Sequence, residues 1–294
     1  MNSPLTTVLL PLALAIVMLG LGLSLTWDDF ARIRRQPRPV LIALACQLLL
    51  LPAICFGLVL ALGLSPMLAV GMMLLAASPG GTTANLYSHL FRGDVALNIT
   101  LTAINSVIAV VSLPIVTNLA IAYFEPTQGG SVGLQFGKVL QVFAIVLVPV
   151  VLGMGVRRAA PAFAQRMDRP VRLLSVLVLV GVIAGTVLAE RDNVLGYLRS
   201  VGPISVLFCA ASLGAGYLVP RLLGVEERQA VASGFEIGIH NSTLAIAIAI
   251  SVLRSVDLAV PAAVYAVVMF PMAALFGWAV NRLGSGAAKQ GATV

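Results

Sequence analysis

Nine long apolar stretches follow one another along the chain, separated by short polar connections. A helix needs about 20 apolar residues to cross a bilayer, and each stretch is of that order. The pattern predicts an all-α polytopic membrane protein with nine transmembrane helices and no soluble domain. The predicted crossings are 5–25, 40–62, 67–91, 95–124, 137–156, 173–189, 203–219, 230–251 and 260–280.

The charge pattern predicts how the helices are oriented in the membrane. The chain is 60% hydrophobic and 10% charged, and its mean hydropathy is +1.03. Of the 18 Lys and Arg residues, 14 lie in alternate connections and the C-terminal tail, and four lie in the opposite connections. Positive charge is enriched on the cytoplasmic side, so we expect an external N-terminus and a cytoplasmic C-terminus. The short connections favour a multi-pass protein of the bacterial inner membrane. Because the net charge of +7 follows this membrane pattern, no nucleic-acid partner is expected.

Two of the nine crossings have an interrupted helical pattern. Pro79, Gly80 and Gly81 lie near the centre of the third crossing, where proline removes a backbone donor and the glycines lower helix stability. The eighth crossing carries a polar run from Glu236 to Thr243 that includes Gly238. Two broken helices of opposite direction, placed similarly in the two halves, are typical of an inverted-repeat secondary transporter.

Glu236 is the only acidic residue deep inside an apolar stretch. An acidic side chain at this depth costs about 2.5–3.5 kcal/mol to insert. No Lys or Arg lies at a comparable depth, so we expect Na⁺ or H⁺ to balance the charge. In the fourth crossing, Asn98, Thr102, Asn105 and Ser106 share one helix face, which favours a role in lining the ligand site.

Several of these segments resemble the bile acid:sodium symporter family, from the first crossing to the last. The resemblance is carried by LGLGLSLTWDDF (19–30), SPGGTTAN (78–85), RGDVALNITLT (92–102) and EIGIHN (236–241), together with Gln47. It implies one transporter domain over 1–294, built from inverted repeats. A panel of about 5–25 and 137–189 would lie against a core of about 40–124 and 203–281, in which the two broken helices cross.

The resemblance also implies two sodium sites. The first maps onto Ala84, Asn85, Asn98, Thr102 and Glu236, with Ser common in relatives at the positions of Ala84 and Asn98. The second maps onto Gln47, Glu236, Ile237, Ile239 and His240. Relatives usually carry Gln at the position of His240, and an imidazole replaces an amide oxygen poorly around Na⁺. Its unperturbed pKa of about 6.5 also suits a proton carrier, so two hypotheses are open. Either His240 reduces coupling to one Na⁺, or H⁺ replaces the second.

A substrate carboxylate is expected where the third helix restarts, because helix N-termini attract anions. The candidate substrate-binding residues are Thr82, Thr83, Gly238, Asn241, Met269 and Phe270. The last two are apolar where some bacterial relatives have polar residues, so bile acids, pantoate-like acids and other small carboxylates all stay open.

The sequence therefore predicts a sodium-coupled symporter that imports an organic anion by alternating access, as a monomer in the lipid bilayer. A proton-coupled or efflux carrier of the same fold is the main alternative. A membrane-embedded enzyme or a non-transporting sensor is more remote. With only two His, a transition-metal site lacks ligands, and no cofactor other than Na⁺ as coupling ion is expected.

Overall fold

A computed structural model describes residues 34–81, 83–124, 136–167 and 194–290, with isolated positions in 15–26 and 170–177. Nearly all of the described chain is helical. The predicted first crossing, the sixth crossing at 173–189 and the candidate substrate residue Thr82 lie largely or wholly outside the described residues. The panel and the count of nine crossings therefore stay predictions.

The described residues form nine helices: α1 (Pro37–Ala61), α2 (Pro66–Ala77), α3 (Thr83–Leu90), α4 (Val95–Phe124), α5 (Phe136–Ala159), α6 (Val194–Leu222), α7 (Glu227–Gly238), α8 (Ser242–Ser251) and α9 (Val260–Gln290). Most of them begin and end close to the bounds that the apolar pattern predicts, but α6 begins before the predicted 203 and α9 extends beyond the predicted 280. Proline at the first position of α1 and α2 suits a helix start, because the missing N–H has no helical partner there.

Four of the described helices are long and apolar enough to cross a membrane without interruption, namely α1, α4, α6 and α9. Large apolar side chains such as Leu49, Leu119 and Val267 are exposed on these helices, as expected for surfaces that face lipid. The chain is a multi-pass membrane protein.

The same order of helices occurs twice in the described chain. A long helix, a 12-residue helix, a break, a short helix and a second long helix follow one another in α1–α4 and again in α6–α9. Both predicted breaks are confirmed: α2 ends at Ala77 before α3 begins at Thr83, and α7 ends at Gly238 before α8 begins at Ser242.

The two breaks pair with each other. Gly80 and His240 form an antiparallel bridge. Gly81 N donates to Ile239 O over 2.6 Å, and Asn241 N donates to Pro79 O over 2.8 Å. Each break thus satisfies backbone groups that the other helix would leave unpaired in an apolar interior. This crossing brings together residues 160 positions apart and creates the site described next.

Candidate functional site

Glu236 lies in the last turn of α7 and is fully buried. Its Oε2 accepts a hydrogen bond from Thr102 Oγ1 over 2.6 Å, and its Oε1 accepts one from Asn105 Nδ2 over 3.2 Å. Both donors come from α4 and are neutral. The salt bridges and hydrogen bonds of the described residues give Glu236 no cationic partner. The carboxylate is therefore held by polar groups that leave its charge unbalanced.

The polar face predicted for α4 does point into the protein. Asn98, Thr102, Asn105 and Ser106 are all buried, with exposed fractions between 0% and 6%. Asn98 Nδ2 donates to Ser88 Oγ over 2.9 Å and to Ala232 O over 2.8 Å, so its amide joins α4 to both α3 and α7. These contacts fix the amide and direct its oxygen away from them.

Four amide oxygens near the crossing helices are buried and lack a hydrogen-bond partner among the described residues. They belong to Gln47, Asn85, Asn98 and Asn105. In three of these four side chains the amide nitrogen does donate a hydrogen bond: Gln47, Asn98 and Asn105. Buried polar atoms are nearly always satisfied in proteins, so a set of unpaired oxygens points to a ligand that accepts electron pairs. Carboxylate and amide oxygens are the ligands preferred by a hard cation.

Gln47 and His240 meet at one carbonyl oxygen. Gln47 Nε2 donates to Ser78 O over 3.1 Å, and His240 Nδ1 lies 3.3 Å from the same oxygen. A carbonyl oxygen can accept two hydrogen bonds. If Nδ1 of His240 carries a proton, Ser78 O accepts one from Gln47 and one from His240. The Ile239 carbonyl is also engaged, by Gly81 N. Compared with the surroundings of Glu236, the group formed by Gln47, His240 and these two carbonyls has few oxygens that lack a hydrogen-bond partner among the described residues.

The ring of His240 is fixed by aromatic neighbours. It stacks on Phe208 with ring centres 5.3 Å apart and meets the edge of Tyr265 at 5.5 Å. Tyr265 Oη donates to Gly238 O over 2.9 Å, at the end of α7. Nε2 of His240 is buried and has no hydrogen-bond partner among the described residues. These contacts set both the direction of the imidazole and the end of the broken helix.

The candidate substrate residues fall into two groups. Thr83 begins α3, while Gly238 and Asn241 flank the break after α7, so these three lie at the crossing. Asn241 also caps α8, its side chain accepting a hydrogen bond from Leu244 N over 3.0 Å.

Met269 and Phe270 form the second group, on α9. Met269 is buried. The ring of Phe270 stacks on that of Tyr87, and the backbone carbonyl of Phe270 accepts a hydrogen bond from the Tyr87 hydroxyl over 3.0 Å. Because Tyr87 lies one turn beyond Thr83 on α3, the two groups are connected through that helix.

Comparison with known proteins gives a family match over 64% of this chain. A family model described as "Sodium Bile acid symporter family" matches residues 11–197. The chain belongs to the sodium bile acid symporter family. The predicted resemblance is therefore confirmed, and the membership makes the chain a transporter and not an enzyme.

The relatives include bacterial, plant and animal proteins. The sodium-dependent transporter YocS of Bacillus subtilis is 30% identical over 86% of this chain and 77% of its own length. The probable chloroplastic sodium/metabolite cotransporter BASS2 of Oryza sativa is 29% identical over 90% of this chain and 62% of its own length. The ileal sodium/bile acid cotransporter of Homo sapiens is 25% identical over 83% and 70%. The names of these relatives differ in the substrate. Membership in the family therefore identifies a class of sodium-dependent transporters but not a particular substrate.

Within this family member, sequence reasoning missed some residues around the site. The sequence predicts Asn105 on the polar face of α4 but does not indicate that it contacts Glu236. Tyr265 and Phe208 carry no sequence signal, because an aromatic residue in an apolar helix is ordinary. Gln47 lies in a π-helical turn, Cys46–Leu50, which the sequence does not indicate. Such turns often occur at functional sites.

Proposed function

We propose that this protein is a sodium-coupled secondary-active symporter that imports an organic anion by alternating access. The single observation that carries the proposal is the fully buried Glu236 among polar side chains whose amide oxygens have no hydrogen-bond partner among the described residues. A carboxylate in an apolar environment is costly unless a cation accompanies it. Sodium is the cation named in the family and in its relatives.

The first sodium site is proposed to consist of Glu236, Asn85, Asn98 and Thr102, with the backbone carbonyl of Ala84. Asn98 supports this role because its amide nitrogen is used by Ser88 and Ala232 while its oxygen stays free. Thr102 already contacts Glu236 and can offer a lone pair to an ion. Oxygen ligands from α3, α4 and α7 would then surround one ion.

The second site, with Gln47, Glu236, Ile237, Ile239 and His240, is proposed to hold no sodium ion. Ser78 O and Ile239 O accept hydrogen bonds within the protein, and the buried side-chain acceptors of this site that lack a partner among the described residues are Gln47 Oε1 and His240 Nε2. One oxygen and one nitrogen are a poor ligand set for a hard cation. One Na⁺ moving with a monoanion is electroneutral, so the membrane potential, which contributes about 2.3 kcal/mol per charge at 100 mV, would not drive transport.

The substrate is proposed to lie against the crossing, with its carboxylate at the start of α3. Backbone amides at a helix start favour an anion; Thr83 begins α3, and Thr82 precedes it in the sequence. Gly238 and Asn241 would complete the polar side, and Met269 and Phe270 would contact the apolar part. A bile acid-like, pantoate-like or other small carboxylate fits this description.

Transport is proposed to occur by movement of a core, about 40–124 and 203–281, against a panel, about 5–25 and 137–189. The repeated order of helices supports two inverted repeats, and the hydrogen bonds between the breaks support a core that moves as one body. The protein is proposed to act as a monomer in the bacterial inner membrane, with its N-terminus outside and its C-terminus in the cytoplasm.

The first test measures the thermal stability of detergent-purified protein titrated with NaCl, KCl or choline chloride. We expect stabilisation by NaCl alone, with a Hill coefficient near one, and loss of the response in Glu236→Gln. Glu226→Gln is the matched control, since Glu226 is exposed just before the same helix and makes no side-chain cap. A Hill coefficient near two would contradict the single sodium ion but not sodium coupling.

An equal response of the wild type to all three salts would contradict sodium coupling. The main alternative, a proton-coupled carrier, would then be examined with liposomes that carry a pH gradient. A protein that binds an organic anion but does not accumulate it in liposomes under either gradient would be a sensor.

A further inference from the structure

Asn105 lies one turn beyond Thr102 on α4 and is 2% exposed. Its Nδ2 donates to Oε1 of Glu236 over 3.2 Å, while Thr102 Oγ1 lies 2.6 Å from Oε2. Both carboxylate oxygens therefore accept a hydrogen bond from α4. In this arrangement the protein supplies a hydrogen bond to each carboxylate oxygen, while the negative charge itself stays unbalanced.

The two donors differ in how easily they can release Glu236. Thr102 Oγ1 also lies 3.1 Å from Asn98 O, so its single hydrogen can turn from Oε2 to that carbonyl without losing a hydrogen bond. Asn105 Nδ2 has Glu236 as its hydrogen-bond acceptor among the described residues. Thr102 is thus able to offer its lone pairs to an ion, whereas Asn105 remains a donor to the carboxylate.

We infer that Asn105 is a positioning residue that holds Glu236 during the part of the cycle in which no sodium ion accompanies it. The inference rests on the proposed sodium site and adds a residue to it. In this role Asn105 competes with sodium for Glu236: its N–H stabilises the carboxylate after the ion leaves, which weakens sodium binding and promotes release.

The competition follows from the cost of a buried charge. A carboxylate without a cation must be stabilised by hydrogen bonds, and such bonds to charged groups are stronger than neutral ones. When sodium arrives, the ion supplies most of that stabilisation, so the N–H of Asn105 contributes less. Loss of Asn105 should therefore destabilise the sodium-free protein more than the sodium-bound protein.

The test uses the full-length variants Asn105→Leu and Asn105→Ala in detergent, with NaCl titrated against choline chloride at constant ionic strength. Asn118→Leu is the matched control because Asn118 is half-buried on the same helix, well beyond the site. Thermal stability is read in each salt, and the half-saturating NaCl concentration is taken from the titration. Asn105→Ala is included because it removes the donor without placing a branched side chain beside Glu236.

We expect lower stability of the Asn105 variants in choline chloride, little change in saturating NaCl, and a half-saturating NaCl concentration lowered about tenfold. That factor corresponds to the net strength of one hydrogen bond to a charged group. In proteoliposomes containing a transported anion, the apparent KM for Na⁺ should fall together with the turnover rate, since sodium release becomes slower. Asn118→Leu should bind Na⁺ as the wild type does.

Three results would overturn the inference. An equal loss of stability in both salts would make Asn105 a structural residue only. A raised half-saturating concentration would make it a sodium ligand through its Oδ1. These first two results would leave the proposed sodium symport intact, because the wild type would still respond to NaCl. Lack of any sodium-specific response in the wild type would overturn the proposed function as well.

Discussion

Gly80 shows how strongly the site depends on a single missing side chain. The sequence predicts this glycine as part of a helix break. In the structure, a Cβ at position 80 would meet the carboxylate of Glu236 and lie 2.7 Å from the backbone oxygen of the same residue. Only a glycine lets the two broken helices approach so closely that the carboxylate lies against the backbone of α2–α3.

We therefore predict that Gly80→Ala abolishes or strongly weakens the stabilisation by NaCl, since the methyl group displaces Glu236. The loss of stability should exceed about 1 kcal/mol, the lower end of the cost of overpacking a well-packed core. Gly57→Ala is the control, because a Cβ at position 57 of α1 meets no atom within 4 Å. Thermal unfolding of both variants with and without NaCl measures the difference. A normal sodium response in Gly80→Ala would show that Glu236 can move aside.

At the scale of the helices, the interior ends of α7 and α8 are held by side chains. Tyr265 from α9 donates to the Gly238 carbonyl at the end of α7, and Asn241 caps the start of α8. These groups replace the backbone bonds that an unbroken helix would make. The broken helices are therefore specific structures stabilised by neighbours, and not kinks of low stability.

Removal of the Tyr265 hydroxyl should leave the Gly238 carbonyl without that donor in a buried position. We predict that Tyr265→Phe lowers the free energy of unfolding by about 1–3 kcal/mol, the usual cost of an unsatisfied buried polar group. Tyr123→Phe is the control, since Tyr123 is 60% exposed on α4 and should change stability little. Chemical denaturation in detergent compares the two. Equal stability of both variants would mean that another group satisfies Gly238.

At the scale of the whole molecule, each helix that follows a break is itself followed, within three residues, by a residue in the left-handed conformation. Arg92 follows α3 with φ 59°, and Arg254 follows α8 with φ 54°. They are the two positive-φ residues other than glycine in the described chain. This left-handed conformation commonly ends a helix and usually requires glycine. The repeated feature supports two related halves, with Arg92 proposed to lie in the cytoplasm and Arg254 outside.

Single cysteine variants test this orientation. The native residues Cys46, Cys55 and Cys209 are buried, so they should contribute little background. A membrane-impermeant maleimide should label Arg254→Cys in spheroplasts, and it should label Arg92→Cys only after the membrane is permeabilised. The positions form a matched pair because each follows a helix in the same backbone conformation. Labelling of both from one side would contradict the inverted repeats, and the reverse pattern would contradict the charge-based orientation.

Local sequence patterns predict the helical class, both helix breaks, the polar face of α4 and the isolated acid Glu236. These features are local: apolar length, proline and glycine, and helical spacing act within one segment, and a charge in an apolar stretch is visible without knowing its neighbours. The family motifs lie in the same local segments. Most of the described helices accordingly begin and end near their predicted bounds, although α6 begins before its predicted start and α9 extends beyond its predicted end.

Which polar groups meet depends on the tertiary structure. Gln47 and His240 lie 193 positions apart in the sequence and use the same Ser78 carbonyl, and Asn105 reaches Glu236 across 131 positions. Such contacts depend on how two broken helices cross, which no local pattern encodes. Helical spacing places Asn98 and Asn105 on the same face of α4 and does not distinguish their partners. Their different partners arise because α7 packs against that face, with the backbone of Ala232 beside Asn98 and the carboxylate of Glu236 beside Asn105.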